Sequence, residues 1–331
     1  MRIAIIGDIH QSDVSPTSRT DDYKQTIFNK LEFIKDTCNR RGVDVAVCLG
    51  DIFHRKNPNL NSHDMVRTLI EIFSQFEAKV LEIPGNHDIS MTSKNLNKQP
   101  LAVLEEAGAV SVLGYPYSKN FCFSTEIFDV YGLGYADGND KLSENYFNLN
   151  EEIIDQDKCN ILCIHQMLLP DGDTFFGDYL NFADLAQFDF DIVCCGHYHP
   201  GFNPTVIEKH GKLFINPGAI SRGSLDVHNL DKEPSFLILD ISSKKQVSWE
   251  TVVIPHEPSN KVFDMQKVNR SLVAKDDIEK FTTSLKNVVE EQVDISSTEG
   301  LLSVLNTITG GDKEIVEFTK PFLVKAQESM Q

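Results

Sequence analysis

Short runs of β-branched and other apolar residues recur through the first three-quarters of the chain, each followed by a polar turn or an amphipathic stretch. RIAIIGD (Arg2–Asp8) reads as a buried strand that ends in a loop. From Tyr23 to Asn39, Ile27, Leu31 and Ile34 fall at helical spacing. VDVAVCLGD (Val43–Asp51) is a second strand, and His63 to Phe76 is a second helix through Met65, Leu69, Ile72 and Phe73. KVLEIPGNHD (Lys79–Asp88) is a third strand. Strand, crossover helix and strand in repetition predict a layered α/β fold. Further on, ILCIH (Ile161–His165), DIVCCGHYH (Asp191–His199), KLFINPGAI (Lys212–Ile220) and SFLILDI (Ser235–Ile241) predict more strands with fewer helices between them. That texture implies a second sheet packed on the first.

The pattern changes after Pro255-His256-Glu257-Pro258. Ile278, Phe281, Leu285, Val288, Val289 and Val293 repeat with a helical period. Ser296 to Glu299 reads as a helix start, Gly310-Gly311 as a stop, and a last helix is expected from Asp312. The reading is a domain over 1–255 and a small helical extension over 256–331.

Composition narrows the class. With 31 Lys and Arg against 49 Asp and Glu the formal net charge is −18, which argues against a stand-alone nucleic-acid coat or a membrane-surface protein. The 41% apolar content belongs to a globular chain and not a disordered one. No apolar run approaches the roughly 18–20 residues that cross a bilayer. MRIAIIGDIH lacks the charge pattern of a secretory signal. The cysteines number seven, an odd and irregular set, with Cys48, Cys163, Cys194 and Cys195 inside apolar runs. They read as reduced core thiols, and a cytoplasmic location is expected.

Candidate chemistry sits where the strands end. Asp8-Ile9-His10, Gly50-Asp51, Gly85-Asn86-His87-Asp88, His165 and Gly196-His197-Tyr198-His199 each follow a predicted strand. Sites in open α/β sheets collect at the carboxyl ends of strands, so these loops should converge. Each piece alone is an ordinary loop hydrogen-bonder or turn. Together they offer carboxylate, imidazole and amide oxygen, a set suited to borderline divalent ions such as Mn²⁺, Fe²⁺ or Zn²⁺. Two such ions about 3.5–4 Å apart can share one carboxylate and activate water for in-line attack on phosphorus.

The order D-x-H, G-D, G-N-H-D/E, H, G-H-x-H resembles the calcineurin-like metallophosphoesterase superfamily, and every part is present from Asp8 to His199. The resemblance implies a four-layer α/β/β/α sandwich. It also implies that Asp8, His10, Asp51 and His199 hold one ion and that Asn86, His165 and His197 complete the second, with Asp51 bridging. By the same resemblance His87 is not a ligand; it assists the leaving oxygen, and Asp88 orients its ring.

Within the superfamily, GDIFHRKNPNLNSHDMVRTLIEIF (Gly50–Phe73), LAQFDFDIVCCGHYHPGF (Leu185–Phe202) and NPGAISRGS (Asn216–Ser224) are similar to the SbcD-type nuclease subunits of double-strand-break repair. The protein-phosphatase branch carries Gly-Asp-x-Val-Asp-Arg-Gly at the second motif, which this chain lacks. The SbcD resemblance implies a Mn²⁺-dependent DNA nuclease with 3′-to-5′ exonuclease and single-strand endonuclease activity. It further implies a DNA substrate, an SbcC-like coiled-coil ATPase partner and a homodimer as a candidate assembly, with no membrane. His54 would be a second active-site histidine outside the ligand set. Arg19, Lys24, Arg55, Lys56 and Arg222 are candidate phosphate contacts. Where SbcD proteins carry a DNA-capping domain, this chain has an acidic helical tail, which reads either as a clasp for the ATPase or as a cap on the sandwich. The alternative activity is a phosphodiesterase or phosphatase acting on a small nucleotide or phosphoprotein. A scaffold without turnover would have no need of this ligand set together with His87.

Overall fold

The computed structural model describes residues 1–89, 95–114, 116–136, 154–175, 177–223 and 227–267. Its elements run in order β1 (Arg2–Ile6), α1 (Tyr23–Arg41), β2 (Val45–Cys48), α2 (His63–Phe73), β3 (Lys79–Glu82), α3 (Pro100–Glu106) and β4 (Ser111–Val112). Then follow β5 (Cys122–Ser124), β6 (Phe128–Leu133), β7 (Cys159–His165), β8 (Leu168–Leu169), β9 (Leu180–Asn181), α4 (Phe182–Leu185) and β10 (Ile192–Gly196). The described part closes with β11 (Val206–Lys209), β12 (Lys212–Ile215), α5 (Val227–Asp231), β13 (Ser235–Ser243), β14 (Gln246–Val253) and α6 (Ser259–Val262).

Two six-stranded sheets form, in the orders β14-β13-β1-β2-β3-β4 and β11-β12-β10-β7-β6-β5. Strands β1 to β4 pair in parallel, as do β6, β7, β10 and β12, which is what helical or long crossovers permit. The outer strands β13, β14, β11 and β5 join antiparallel. Alternation along each strand makes the layers. Ile3, Ile5, Val45 and Val47 of the first sheet share one core with Ile161, Cys163, Ile192 and Cys194 of the second. Their neighbours Ala4, Ile6, Ala46 and Cys48 face the other way, into a core with Ile27, Leu31, Met65 and Leu69 of α1 and α2. The outer face of the second sheet, Leu162, Ile164, Val193 and Phe214, is covered by Phe182 and Leu185 of α4 and by Leu168 and Leu180. Among the described residues this fourth layer is one helical turn and a two-stranded ribbon, thinner than the helical layer on the first sheet.

Both long helices are capped as their sequences require. The Asp22 carboxylate accepts the Gln25 amide at 3.1 Å, and α1 stops at Gly42, whose φ of +58° suits a residue without Cβ. The Ser62 hydroxyl accepts the Met65 amide at 3.1 Å to open α2. The chain divides into two units, Met1–Asp264 and Met265–Gln331. The helices expected over Asp276–Val293, from Ser296 and from Asp312 lie outside the described residues. No helix among the described residues is long and apolar enough to cross a membrane.

Candidate metal centre

Five loops at the carboxyl ends of β1, β2, β3, β7 and β10 bring all seven expected ligand side chains to one place. They fall into two groups. Asp8, His10, Asp51 and His199 form the first, and Asp51, His165 and His197 the second, so Asp51 belongs to both. Nε2 of His10 lies 3.5 Å from Oδ2 of Asp51 and 2.9 Å from Nε2 of His199. On the other side Nε2 of His165 lies 3.4 Å from the same Oδ2. Oδ1 of Asn86 sits 3.2 Å from His165 Nε2 and 3.0 Å from His197 Nδ1, which adds the amide oxygen to the second group. The first sheet thus provides Asp8, His10, Asp51 and Asn86, and the second provides His165, His197 and His199.

The surroundings aim these atoms. His165 Nδ1–H donates to the Leu49 carbonyl at 2.7 Å, which fixes the tautomer and turns Nε2 inward. Asp8 accepts the His197 amide at 3.0 Å, and Asp51 Oδ1 accepts the His87 amide at 2.7 Å. His10, Asp51 and His197 have φ of +53°, +55° and +73°, left-handed conformations costing about 1–2 kcal/mol each outside glycine. Gly85 allows the crowding, since a Cβ there would stand 2.2 Å from Asp51 Oδ1.

Electrostatics favour the neutral, ligating form at His10 and His197 and oppose it at His165. Burial, and then the neighbouring imidazole of His199, hold His10 well below its ordinary value. Burial and His165 bring His197 down to about 3, and burial and His87 bring His54 down to about 4. Burial opposes the charge on His165, but the neighbouring charges of Asp51 and Asp8 raise it to about 9. Asp51 Oδ2 is buried and accepts no hydrogen bond among the described residues, although it faces imidazoles of both groups. An orphaned carboxylate oxygen between two sets of nitrogen donors fits a bridging position between two cations, so the residues present suit a dinuclear centre.

His54 and His87 flank the first group without belonging to it. Their rings stack at 5.5 Å, and His87 lies 4.9 Å from the His10 ring. A cleft of about 190 Å³ opens over His10, His54, His87 and His199. Pro16, Tyr23, Ser221 and Gly223 line the rest of it.

Three expectations need correction. Asp88 does not orient the His87 ring. Its Oδ2 accepts the amides of Asp51 at 2.8 Å and Gly85 at 3.0 Å, and its Oδ1 accepts that of Phe53 at 3.1 Å, while His87 Nδ1 bonds the His54 carbonyl at 2.7 Å. The oxygens of Asp88 are spent on three buried backbone donors, and a carbonyl does the orienting. Lys24 pairs with Asp13 at 2.7 Å and Asp64 at 3.2 Å, so it is not a phosphate contact. Arg19 and Arg222 are buried and bonded inside the fold. Sequence reasoning missed Tyr23, whose hydroxyl donates to the His10 carbonyl at 2.9 Å, and Tyr135, whose ring lies 5.5 Å from that of His197. It also missed Glu82, buried at the end of β3, where burial and then Asp88 push the carboxyl well up. A charged residue inside the run KVLEI was the only signal for it.

A dinuclear imidazole–carboxylate centre at the strand ends of a double-sheet sandwich defines a metal-dependent phosphoesterase. Residues 1–201 match the calcineurin-like phosphoesterase family, and the chain belongs to that family. It is 25% identical over 239 residues to the DNA double-strand break repair protein Mre11 of Archaeoglobus fulgidus, covering 68% of this chain and 51% of that protein. The chain therefore spans about half the length of that relative. Among solved structures it is similar to TT1561 of Thermus thermophilus, with a TM-score of 0.49 and 12% identity over 77% of this chain and 99% of the other. A dimetal phosphatase from Danio rerio gives a TM-score of 0.46 and 14% identity over 78% and 99% of the two chains.

Proposed function

We propose that this phosphoesterase is a Mn²⁺-dependent DNA nuclease of the SbcD type, with 3′-to-5′ exonuclease and single-strand endonuclease activity, working beside an SbcC-like ATPase in the cytoplasm. The observation that carries the reading is the pair of histidines outside the ligand set, His54 stacked on His87 at 5.5 Å at one end of the cleft. The likeness to the archaeal Mre11 protein supports the same choice.

When bound, the two ions supply Lewis acidity and activate water for in-line attack on phosphorus. Asp8, His10, Asp51 and His199 would hold one of them, and Asp51, Asn86, His165 and His197 the other. The chain's own residues do the rest. His87 bonds the His54 carbonyl through Nδ1, which presents Nε2 to the cleft for the departing oxygen of a diester. His54 lies beside it and helps place the phosphate. Asp88 keeps the Asp51 loop and the Gly85 turn in register.

Net charge bears on the partner. A chain at −18 repels DNA at long range, and affinity for a polyanion rests on Lys and Arg contacts that release counterions. Arg19 and Arg222 are engaged inside the fold and Lys24 is paired with Asp13 and Asp64, and among the described residues no lysine or arginine lines the cleft. The ATPase would supply the grip.

Purified protein with Mn²⁺ should degrade single-stranded or linear duplex DNA, and EDTA should stop it. Rapid turnover of cyclic nucleotides or phosphopeptides with DNA left intact would replace this reading with the small-substrate phosphodiesterase or phosphatase.

A further inference from the structure

Two buried arginines, Arg19 and Arg222, converge on the ring of Phe263. Arg19 holds Asp21 through two bonds of 2.7 and 2.6 Å and donates to the Arg222 carbonyl at 2.8 Å. Arg222 donates to the Ser259 hydroxyl at 3.1 Å and to the Glu257 carbonyl. The Phe263 ring meets both guanidinium groups, at 5.2 Å from Arg19 and 6.0 Å from Arg222, and is 3% exposed. Backbone bonds from Thr20 to Val262 at 3.0 Å and from Asp264 to Ser18 at 2.9 Å fasten the strap that carries Phe263 to the loop that carries Arg19.

That loop, through Pro16, the start of α1, through Tyr23, and the loop bearing Arg222, through Ser221 and Gly223, line the same cleft as His54 and His87. Arg19 also covers the Tyr23 ring at 5.3 Å, and Tyr23 bonds the backbone of His10. Neither loop belongs to one of the large sheets: backbone bonds to residues 262 and 264 hold the loop of Arg19, and the side-chain contacts of Arg19, Arg222 and Phe263 add to them. A guanidinium held against an aromatic face away from water is bound more firmly than an exposed one. A wall displaced by about 1 Å misplaces the substrate enough to slow a reaction severely.

We propose that Phe263 is a positioning residue of the active site: gripped by Arg19 and Arg222, it sets the two loops that line the cleft with His54 and His87 and so the seating of the substrate beside the metal centre. The inference rests on the phosphoesterase centre alone and not on DNA being the substrate. A plain core residue would need only apolar volume at this position, whereas the clamp needs an aromatic face.

The test compares Phe263→Leu, Phe263→Tyr and Arg222→Gln in the full chain loaded with Mn²⁺. Two readouts are taken: steady-state hydrolysis of bis(p-nitrophenyl) phosphate, and amide hydrogen exchange, which needs no turnover. Phe263→Leu loses both cation–π contacts and should raise KM about five- to tenfold, with kcat within about twofold. Exchange should quicken in residues 15–23 and 220–223, while the Mn²⁺ content stays at the wild-type level. Phe263→Tyr should restore both readouts, and Arg222→Gln should reproduce the loosening with the ring still present, which also serves if the Leu variant does not fold. Wild-type exchange in both loops of Phe263→Leu and Arg222→Gln, or equal damage from Tyr and Leu, would overturn the proposal.

Discussion

Asp88 governs Asp51 through the backbone: its Oδ2 accepts the Asp51 amide at 2.8 Å, and the same carboxylate gathers the amides of Gly85 and Phe53. Asp51 is the side chain common to both ligand groups, so the acid of the Gly-Asn-His-Asp loop acts on the centre by fixing the backbone from which Asp51 projects.

Removing that acceptor leaves three buried donors unpaired. Asp88→Ala should cost about 2–5 kcal/mol in unfolding free energy, given about 1–3 kcal/mol per orphaned buried group with partial relief by water. Asp88→Asn keeps one acceptor oxygen but turns an amide NH₂ toward the donors, so it should fall between alanine and wild type. Denaturant unfolding measures both, and a metal titration should show Mn²⁺ affinity weakened about 10–100-fold.

The shared carboxylate predicts a metal stoichiometry. Asp51→Ala should lose binding at both positions, whereas His199→Ala should retain the ion held by Asp51, Asn86, His165 and His197. Elemental analysis of dialysed protein decides it. Two ions per chain in Asp51→Ala would remove the bridging role.

Catalysis should separate from binding at His87. His87→Gln should lower hydrolysis by roughly 10²–10⁴-fold, the range of a general acid, with the metal content unchanged. Near wild-type turnover would make His87 a bystander.

The thiols give a pH test. All seven cysteines are free, and burial pushes Cys38 and Cys159 up to about 12 and the half-buried Cys122 up to about 11. At pH 8 a thiol of pKa 12 is ionised in about one part in 10⁴, so a thiolate reagent should label the native protein slowly, at Cys122 first, and the unfolded chain at once. The sign of the linkage follows. Folded thiols keep protons that unfolded ones release, so stability should fall as pH climbs above about 9. A flat denaturant midpoint between pH 8.5 and 10.5 would contradict that burial.

Much of this centre is legible in the sequence because its ligands are local in type though not in place. Asp8, Asp51, Asn86, His165 and His197 each follow an apolar run, and a strand end points its loop in a known direction. Three strands leave weaker marks. β5 is only three residues long, β6 has Asp129 and Gly132 inside its buried run, and β14 is exposed at most positions. Spacing puts Asp88 next to His87 but cannot reveal which backbone donors a left-handed turn at Asp51 brings within reach. The arginines are opaque for a similar reason: Phe263 meets Arg19 across the whole domain, a contact no local pattern encodes.

The division of the ligands between the two sheets sets a timetable for biosynthesis. Asp8, His10, Asp51 and Asn86 leave the ribosome well before His165, His197 and His199, and the late group closes the centre only when the second sheet has docked on the first. A cation therefore meets its full ligand set only after both halves have docked, and its tight uptake should report that event. Stopped-flow metal capture during refolding should trail the appearance of sheet structure, and a nascent chain halted before His165 should hold an ion far more weakly than the finished domain.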